Sequence, residues 1–262
     1  MIFGIPTLIE NENLEESFEL CSGLRLNFIE LNMNMPQYQV ESLSKTDLLI
    51  NLKDKYHIGY TIHLDENLNV CDFNKSVADA YMETVKRTIH IAKEIDAPVI
   101  NMHMNHGVHF TLPDKKVQLF EMYNQFYMDR IKAFRNMCEN EIGTAKIKIC
   151  IENTDGYKNY ERRAVKYLLE SEAFALTWDI GHCNSAGNVD EEFILQNEEH
   201  LAHFHIHDSL GNKDHMTLGT GEIDLEKRLS AAKRHNCRCV IETKTVQALK
   251  KSVGWLKVNG YM

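Results

Sequence analysis

Eight times along the chain a short apolar or β-branched run gives way to a stretch whose apolar positions carry a helical spacing. The runs that read as strands are Ile2–Pro6, Asn27–Leu31, Gly59–His63, Val99–His103, Ile147–Glu152, Ala175–Asp179, His203–His207 and Cys239–Glu242. Their starts lie about 25 to 50 residues apart, room enough for a crossover helix and its loops in each βαβ unit. Between the third and fourth runs, Val77, Tyr81, Val85, Ile89 and Ala92 recur at steps of four and three, and Ser76 with Asp79 resembles a capping box. Between the fourth and fifth, Val117, Phe120, Tyr127, Ile131, Phe134 and Cys138 predict one long helix ending near Gly143. Eight such units predict an α/β fold, a single (β/α)8 barrel over residues 1–262, for which roughly 250 residues is the usual length. A flat doubly wound sheet would also alternate strand and helix. It would gather its chemistry at one switch point, whereas here ionisable residues end most of the runs around the whole set.

Those strand-end residues are Glu30, His63, His103, Glu152, Asp179, His205 or His207, and Glu242. Closing parallel strands into a barrel brings their C-terminal ends to one mouth, so the expectation is a cluster of metal-binding side chains. A carboxylate at the end of an apolar strand is costly unless paired or metal-bound, and for Glu152 and Glu242 the competing partners are Lys148 and Lys244. In His203-Phe204-His205-Ile206-His207-Asp208, strand alternation places the three imidazoles on one face, with His203 the deepest and most structural. Asp179-Ile180-Gly181-His182 can turn a carboxylate and an imidazole into the same cavity. The turn Gly219-Thr220-Gly221 after the seventh strand lies where barrels often hold phosphate, although Glu222 and Asp224 beside it would repel an anion or simply cap the next helix.

Charge and cysteine usage narrow the partners. The net charge of −9 gives no basic footprint for nucleic acid and favours a small-molecule ligand. Seven scattered cysteines, with Cys237-Arg238-Cys239 the only close pair, fit no redox or zinc-knuckle spacing and read as reduced thiols. With no apolar stretch near membrane-span length and no basic leader, a cytoplasmic, membrane-free protein is expected.

At Glu152, Asp179-x-x-His182, His205-x-x-Asp208, Leu218-Gly-x-Gly221 and Ile241-Glu242-Thr243 the chain resembles the xylose isomerase-like TIM barrel superfamily, from Phe3 to the last helix. That superfamily contains sugar isomerases and epimerases as well as endonuclease IV. The resemblance implies a divalent ion held by Glu152, Asp179, His205 and Glu242, with the two glutamates also exchanging protons with substrate. His182, His207 and His215 would orient substrate oxygens. In the nuclease, additional zinc ions use residues that look like His63, His103, His182 and His215. Several positions depart from the nuclease: Lys213 stands where it has an aspartate, Glu66 where it has a tyrosine, and no arginine occurs in Asn32–Gln39. An anionic Glu66 opposes a phosphate backbone. The isomerase match departs at His215, where many epimerase-like members have arginine. The leading expectation is therefore a metal-dependent isomerase or epimerase of a small sugar, keto-sugar or related polyhydroxy compound, working through an enediolate. The alternative is a zinc phosphodiesterase of the abasic-site nuclease type. The surplus of histidines puts zinc first; the four oxygen-rich ligands alone would suit Mn, Mg or Co.

Overall fold

A computed structural model, describing residues 1–262, turns the eight apolar runs into parallel strands: β1 (Ile2–Pro6), β2 (Phe28–Asn32), β3 (Gly59–His63), β4 (Val99–His103), β5 (Lys148–Glu152), β6 (Phe174–Asp179), β7 (Leu201–Ile206) and β8 (Arg238–Ile241). Each pairs with its sequence neighbours, and β1 pairs with β8 to close a (β/α)8 barrel. The crossovers carry α1 (Leu14–Leu24), α2 (Thr46–Tyr56), α3 (Lys75–Glu94), α4 (Asn124–Ile142), α5 (Asn159–Leu169), α6 (Ile180–Ser185), α7 (Glu191–Leu195) and α8 (Leu225–Arg234), and α9 (Val246–Val258) completes the ring. No helix is long and apolar enough to cross a membrane.

Alternation along the strands divides the side chains between two environments. Ile29, Leu31, Ile62, Ile100, Ile149, Ile151, Leu176, Trp178, Phe204 and Ile206 are fully buried in the apolar core. The intervening positions are polar and buried as well: Glu30, Thr61, Asn101, Glu152, Thr177, His203 and His205 are at most 1% exposed. Glu30 on β2 touches both histidines of β7, strands that are not neighbours in the sheet, so these residues meet through the barrel interior. Burying so many polar groups is tolerable only if they satisfy one another, and this interior network is the floor of the site described below.

Two expected elements differ. Helix α3 begins at Lys75, capped by the Asn74 side chain, which accepts the Ser76 N–H; Ser76 is therefore inside the helix and not its cap. Val117 and Phe120 do not belong to the long helix. Lys116–Gln118 pairs antiparallel with His109–Thr111, a short helix Leu119–Met122 follows, and α4 starts only at Asn124. The reason is visible in the pattern, because Val108, Phe110 and Leu112 alternate with polar residues at the period of a strand. A second hairpin, Asp208–Leu210 with Lys213–Met216, follows β7. The stop at Gly143 is as expected: its φ of 57° suits glycine, and its N–H bonds the Glu139 carbonyl.

Candidate metal centre

Strand register sets the centre. Asp179 on β6 is the Cα partner of His205 on β7, His205 is level with Val240 on β8, and Glu152 closes β5 beside Thr177. Glu242 follows β8 directly, its N–H bonded to the Ile206 carbonyl. The four side chains therefore converge. His205 Nδ1 lies 2.9 Å from Glu152 Oε1, 3.0 Å from Glu242 Oε2 and 3.8 Å from Asp179 Oδ2. One ligand atom from each of Glu152, Asp179, His205 and Glu242 falls within 4.8 Å of the others. Glu152 Oε1, Glu242 Oε2 and both ring nitrogens of His205 are buried without a well-directed hydrogen bond. Glu152 Oε1, Glu242 Oε2 and His205 Nδ1, orphaned and close together beside the Asp179 carboxylate, fit a divalent cation, which would satisfy all three at once.

Further imidazole nitrogens flank this set on both sides. His63 Nε2 and His103 Nε2 lie 3.4 and 3.0 Å from Glu152 Oε2, the oxygen turned away from His205, and Asn101 Nδ2 donates to that same oxygen. On the other side, His182, His207 and His215 form a second group of converging nitrogens, and His182 Nδ1 is 3.0 Å from Asp214 Oδ2. Asp214, one residue beyond Lys213, thus faces His182. His207 does not line the open cleft. It is fully buried, its Nδ1 accepts the His215 N–H at 2.8 Å, and its Nε2 lies 3.0 Å from Asp179 Oδ2. An accepting Nδ1 leaves the proton on Nε2, so the ring donates to Asp179 and holds that carboxylate in place. Asp179 Oδ1 also accepts the His182 N–H, capping α6. Gly181 is required here: a Cβ would sit 2.0 Å from the His207 ring.

The electrostatics reflect crowded negative charge. Burial alone would raise the Glu152 carboxyl, but the charges of His205 and His103 outweigh it and hold the group well below the ordinary carboxylate range. Glu242 is likewise held well below, against burial, chiefly by His205. His205 in turn is pushed well above an ordinary imidazole, because Glu152, Glu30 and Glu242 outweigh its burial. Glu152 also lifts His63 to about 9 despite burial. The imidazoles favour positive charge where the carboxylates favour negative, a compensation that a divalent ion would otherwise supply.

Glu152 and Glu242 of the cluster line a cleft of about 610 Å³ at the C-terminal mouth of the barrel, with Asp179 and His205 buried behind them. Among its eighteen lining residues only Met104 and Ala186 are apolar, so it suits a hydroxyl-rich ligand more than an apolar one. Glu66, Asp155 and Asp214 line it as well, and Lys244 is its one lysine, with Nζ 3.1 Å from Glu242 Oε1. The Gly-x-Gly turn is already filled from within the chain. Gly219 and Gly221 N–H groups donate to Asp208 Oδ2 at 2.9 and 2.8 Å, while Ser209 and Ile223 donate to Oδ1 at 2.9 and 3.3 Å. The expected phosphate position is thus taken by a carboxylate, and Asp224 caps α8 as anticipated. One neighbouring cluster carries no signal in the residue pattern: His106 lies between Glu161, at 2.6 Å, and Asp155. Only the fold brings the loops after β4 and β5 together.

Fold and site together define a (β/α)8 barrel with a buried carboxylate–histidine centre at its C-terminal face. The chain belongs to the xylose isomerase-like TIM barrel family, whose model matches residues 18–258. It is 26% identical over 258 residues to the uncharacterized protein MJ1614 of Methanocaldococcus jannaschii, covering 92% of each chain. Among solved structures it is similar to a D-tagatose 3-epimerase-like protein, with a TM-score of 0.78, 22% identity and coverage of 100% of this chain and 97% of the other. IolI with a bound zinc atom gives 0.76 at 16% identity, covering 100% and 99%. Endonuclease IV from Thermus thermophilus gives 0.66 at 14% identity, covering 98% and 100%. At these identities the structural likenesses establish the fold.

Proposed function

We propose that this protein is a metal-dependent isomerase or epimerase of a small, unphosphorylated polyhydroxy carbonyl compound such as a keto-sugar. One observation carries the reading: Glu152 and Glu242 reach the same point from β5 and from the end of β8, each with an orphaned carboxylate oxygen, beside a polar cleft. Glu152, Asp179, His205 and Glu242 would hold the ion. When bound, it would polarise adjacent substrate oxygens and lower the barrier to removing the neighbouring C–H proton. One glutamate then takes that proton and the other returns one to the opposite face, which inverts or relocates the centre. His182 and His215, at the cleft wall, orient hydroxyls; His207 acts through Asp179. Zinc is the first choice of metal because His63, His103, His182 and His215 add nitrogen ligands around the four-residue set. Support for an unphosphorylated substrate comes from Asp208 filling the Gly-x-Gly turn and from the carboxylates of the cleft. The test is solvent-deuterium incorporation into a panel of ketoses by the metal-loaded protein. Exchange with at least one of them is expected, and exchange with none counts against the proposal.

The flanking histidines also favour a second reading, metal-dependent phosphodiester hydrolysis, which needs at least two ions about 3.5 to 4 Å apart. Glu66, Asp155 and Asp214 facing the cleft weigh against a nucleic-acid backbone. Cleavage of an abasic duplex by protein carrying two or more zinc ions would establish that reading instead.

A further inference from the structure

We infer that Glu30 is a positioning residue for the metal centre, fixing which nitrogen of His205 faces the shared ion. The inference rests on the proposal that Glu152, Asp179, His205 and Glu242 hold that ion. Glu30 lies inside the barrel below the four ligands, on β2, and is 1% exposed. Its Oε2 accepts the Thr61 hydroxyl at 2.9 Å and lies 2.9 Å from His203 Nε2. Its Oε1 faces His205, whose Nε2 is 2.8 Å away, within ion-pair distance though off the ideal hydrogen-bond direction. No lysine or arginine comes within ion-pair distance of this carboxylate; its charge is met only by the two imidazoles. A carboxylate can only accept, so with an ion at the point shared by Glu152 and Glu242 the one proton of His205 belongs on Nε2, toward Glu30. Nδ1 then presents its lone pair to the point shared with Glu152 and Glu242. This is the arrangement in which an outer carboxylate orients a metal-binding histidine and raises its basicity. His203, set below the ion and bonded to the other oxygen of Glu30, braces the carboxylate without reaching the ligand point.

The substitution Glu30→Gln keeps the shape but can offer an amide N–H₂ to His205 Nε2, which favours the opposite tautomer and turns an N–H toward the ion. The apo protein and the variant are titrated with Zn²⁺ in competition with a chromophoric chelator, and melting temperatures are recorded with and without Zn²⁺. The expected result is a loss of Zn²⁺ affinity of about 10- to 100-fold, with the melting-temperature gain on adding metal reduced more than the apo melting temperature. A parallel readout is the ¹⁵N spectrum of histidine-labelled, Zn-loaded wild type, in which His205 should carry its proton on Nε2. Affinity within about twofold of wild type, with equal melting-temperature losses in apo and loaded protein, overturns the inference and leaves Glu30 a structural partner only. If Glu30→Gln does not fold, Glu30→Asp keeps the charge while withdrawing it from His205. A several-fold affinity loss in that folded variant supports the role, and unchanged affinity overturns it. Wild-type protein that takes up no Zn²⁺ at all overturns the metal reading together with this one, so the two failures are told apart.

Discussion

Gly181→Ala is a substitution whose sign separates local helix energetics from the close packing of the centre. Gly181 lies in the first turn of α6, where alanine should be the better helix former by roughly 0.8 to 1 kcal/mol. Against that, the new Cβ would stand 2.0 Å from both Cε1 and Nδ1 of His207 and 2.7 Å from Nε2. The ring has little freedom to retreat, since Nδ1 accepts the His215 N–H and Nε2 sits on Asp179. Overpacking of this kind costs about 1 to 3 kcal/mol, and each buried hydrogen bond broken by the retreat adds about 1 to 3 more. If the retreat breaks one of the two bonds, the net loss after the helix gain is about 1 to 5 kcal/mol, or roughly 2 to 20 °C in melting temperature for a chain of this size. Because Asp179 would lose its histidine, metal affinity should fall in parallel. The assay is thermal melting of Gly181→Ala, His207→Ala and the double variant. In the His207→Ala background the ring is gone, so adding Gly181→Ala should be neutral or mildly stabilising, giving a strong coupling between the two sites. A Gly181→Ala protein as stable as wild type, or equal losses in both backgrounds, would refute the packing argument.

Replacing Asp208 by asparagine puts a donor where the N–H groups of Gly219 and Gly221, or of Ser209 and Ile223, need an acceptor. The expected cost is about 2 to 4 kcal/mol, read as a lower urea midpoint, and a midpoint unchanged from wild type would contradict the assigned role. His106 is raised above an ordinary imidazole, first by its hydrogen bond to Glu161 and then, against burial, by the Glu161 and Asp155 charges. A raised folded-state pKa makes its stabilisation fully present below about pH 6.5, the unfolded value, and lost as pH rises through the folded value. The stability difference between wild type and His106→Gln should therefore shrink from pH 6 toward alkaline pH; a difference that widens would reverse the assignment.

The barrel was legible in the chain because buried parallel strands leave an unambiguous mark: β1, β3 and β4 begin and end at the residues the apolar runs give. The convergence of Glu152, Asp179, His205 and Glu242 followed from their places at strand ends, where topology alone brings distant residues together. What sequence could not supply was the partner of each group. The three histidines of β7 and its exit share one face in the pattern, which sets His203 apart by depth only; the structure adds that His203 meets Glu30, His205 meets Glu152 and Glu242, and His207 meets Asp179 and a backbone N–H. The Gly-x-Gly turn read as an anion site for the right physical reason, and only the hairpin after β7 shows that Asp208 is the anion. Asn101 went unremarked because an amide two residues before His103 carries no signal until β4 and β5 are paired and its side chain meets Glu152.

The most direct measurement is anomalous scattering from crystals of the protein grown with Zn²⁺ and, separately, Mn²⁺. A peak about 2.0 to 2.2 Å from donor atoms of Glu152, Asp179, His205 and Glu242 is the predicted result. A map in which those four side chains surround no peak, with metal bound elsewhere or not at all, would contradict the account.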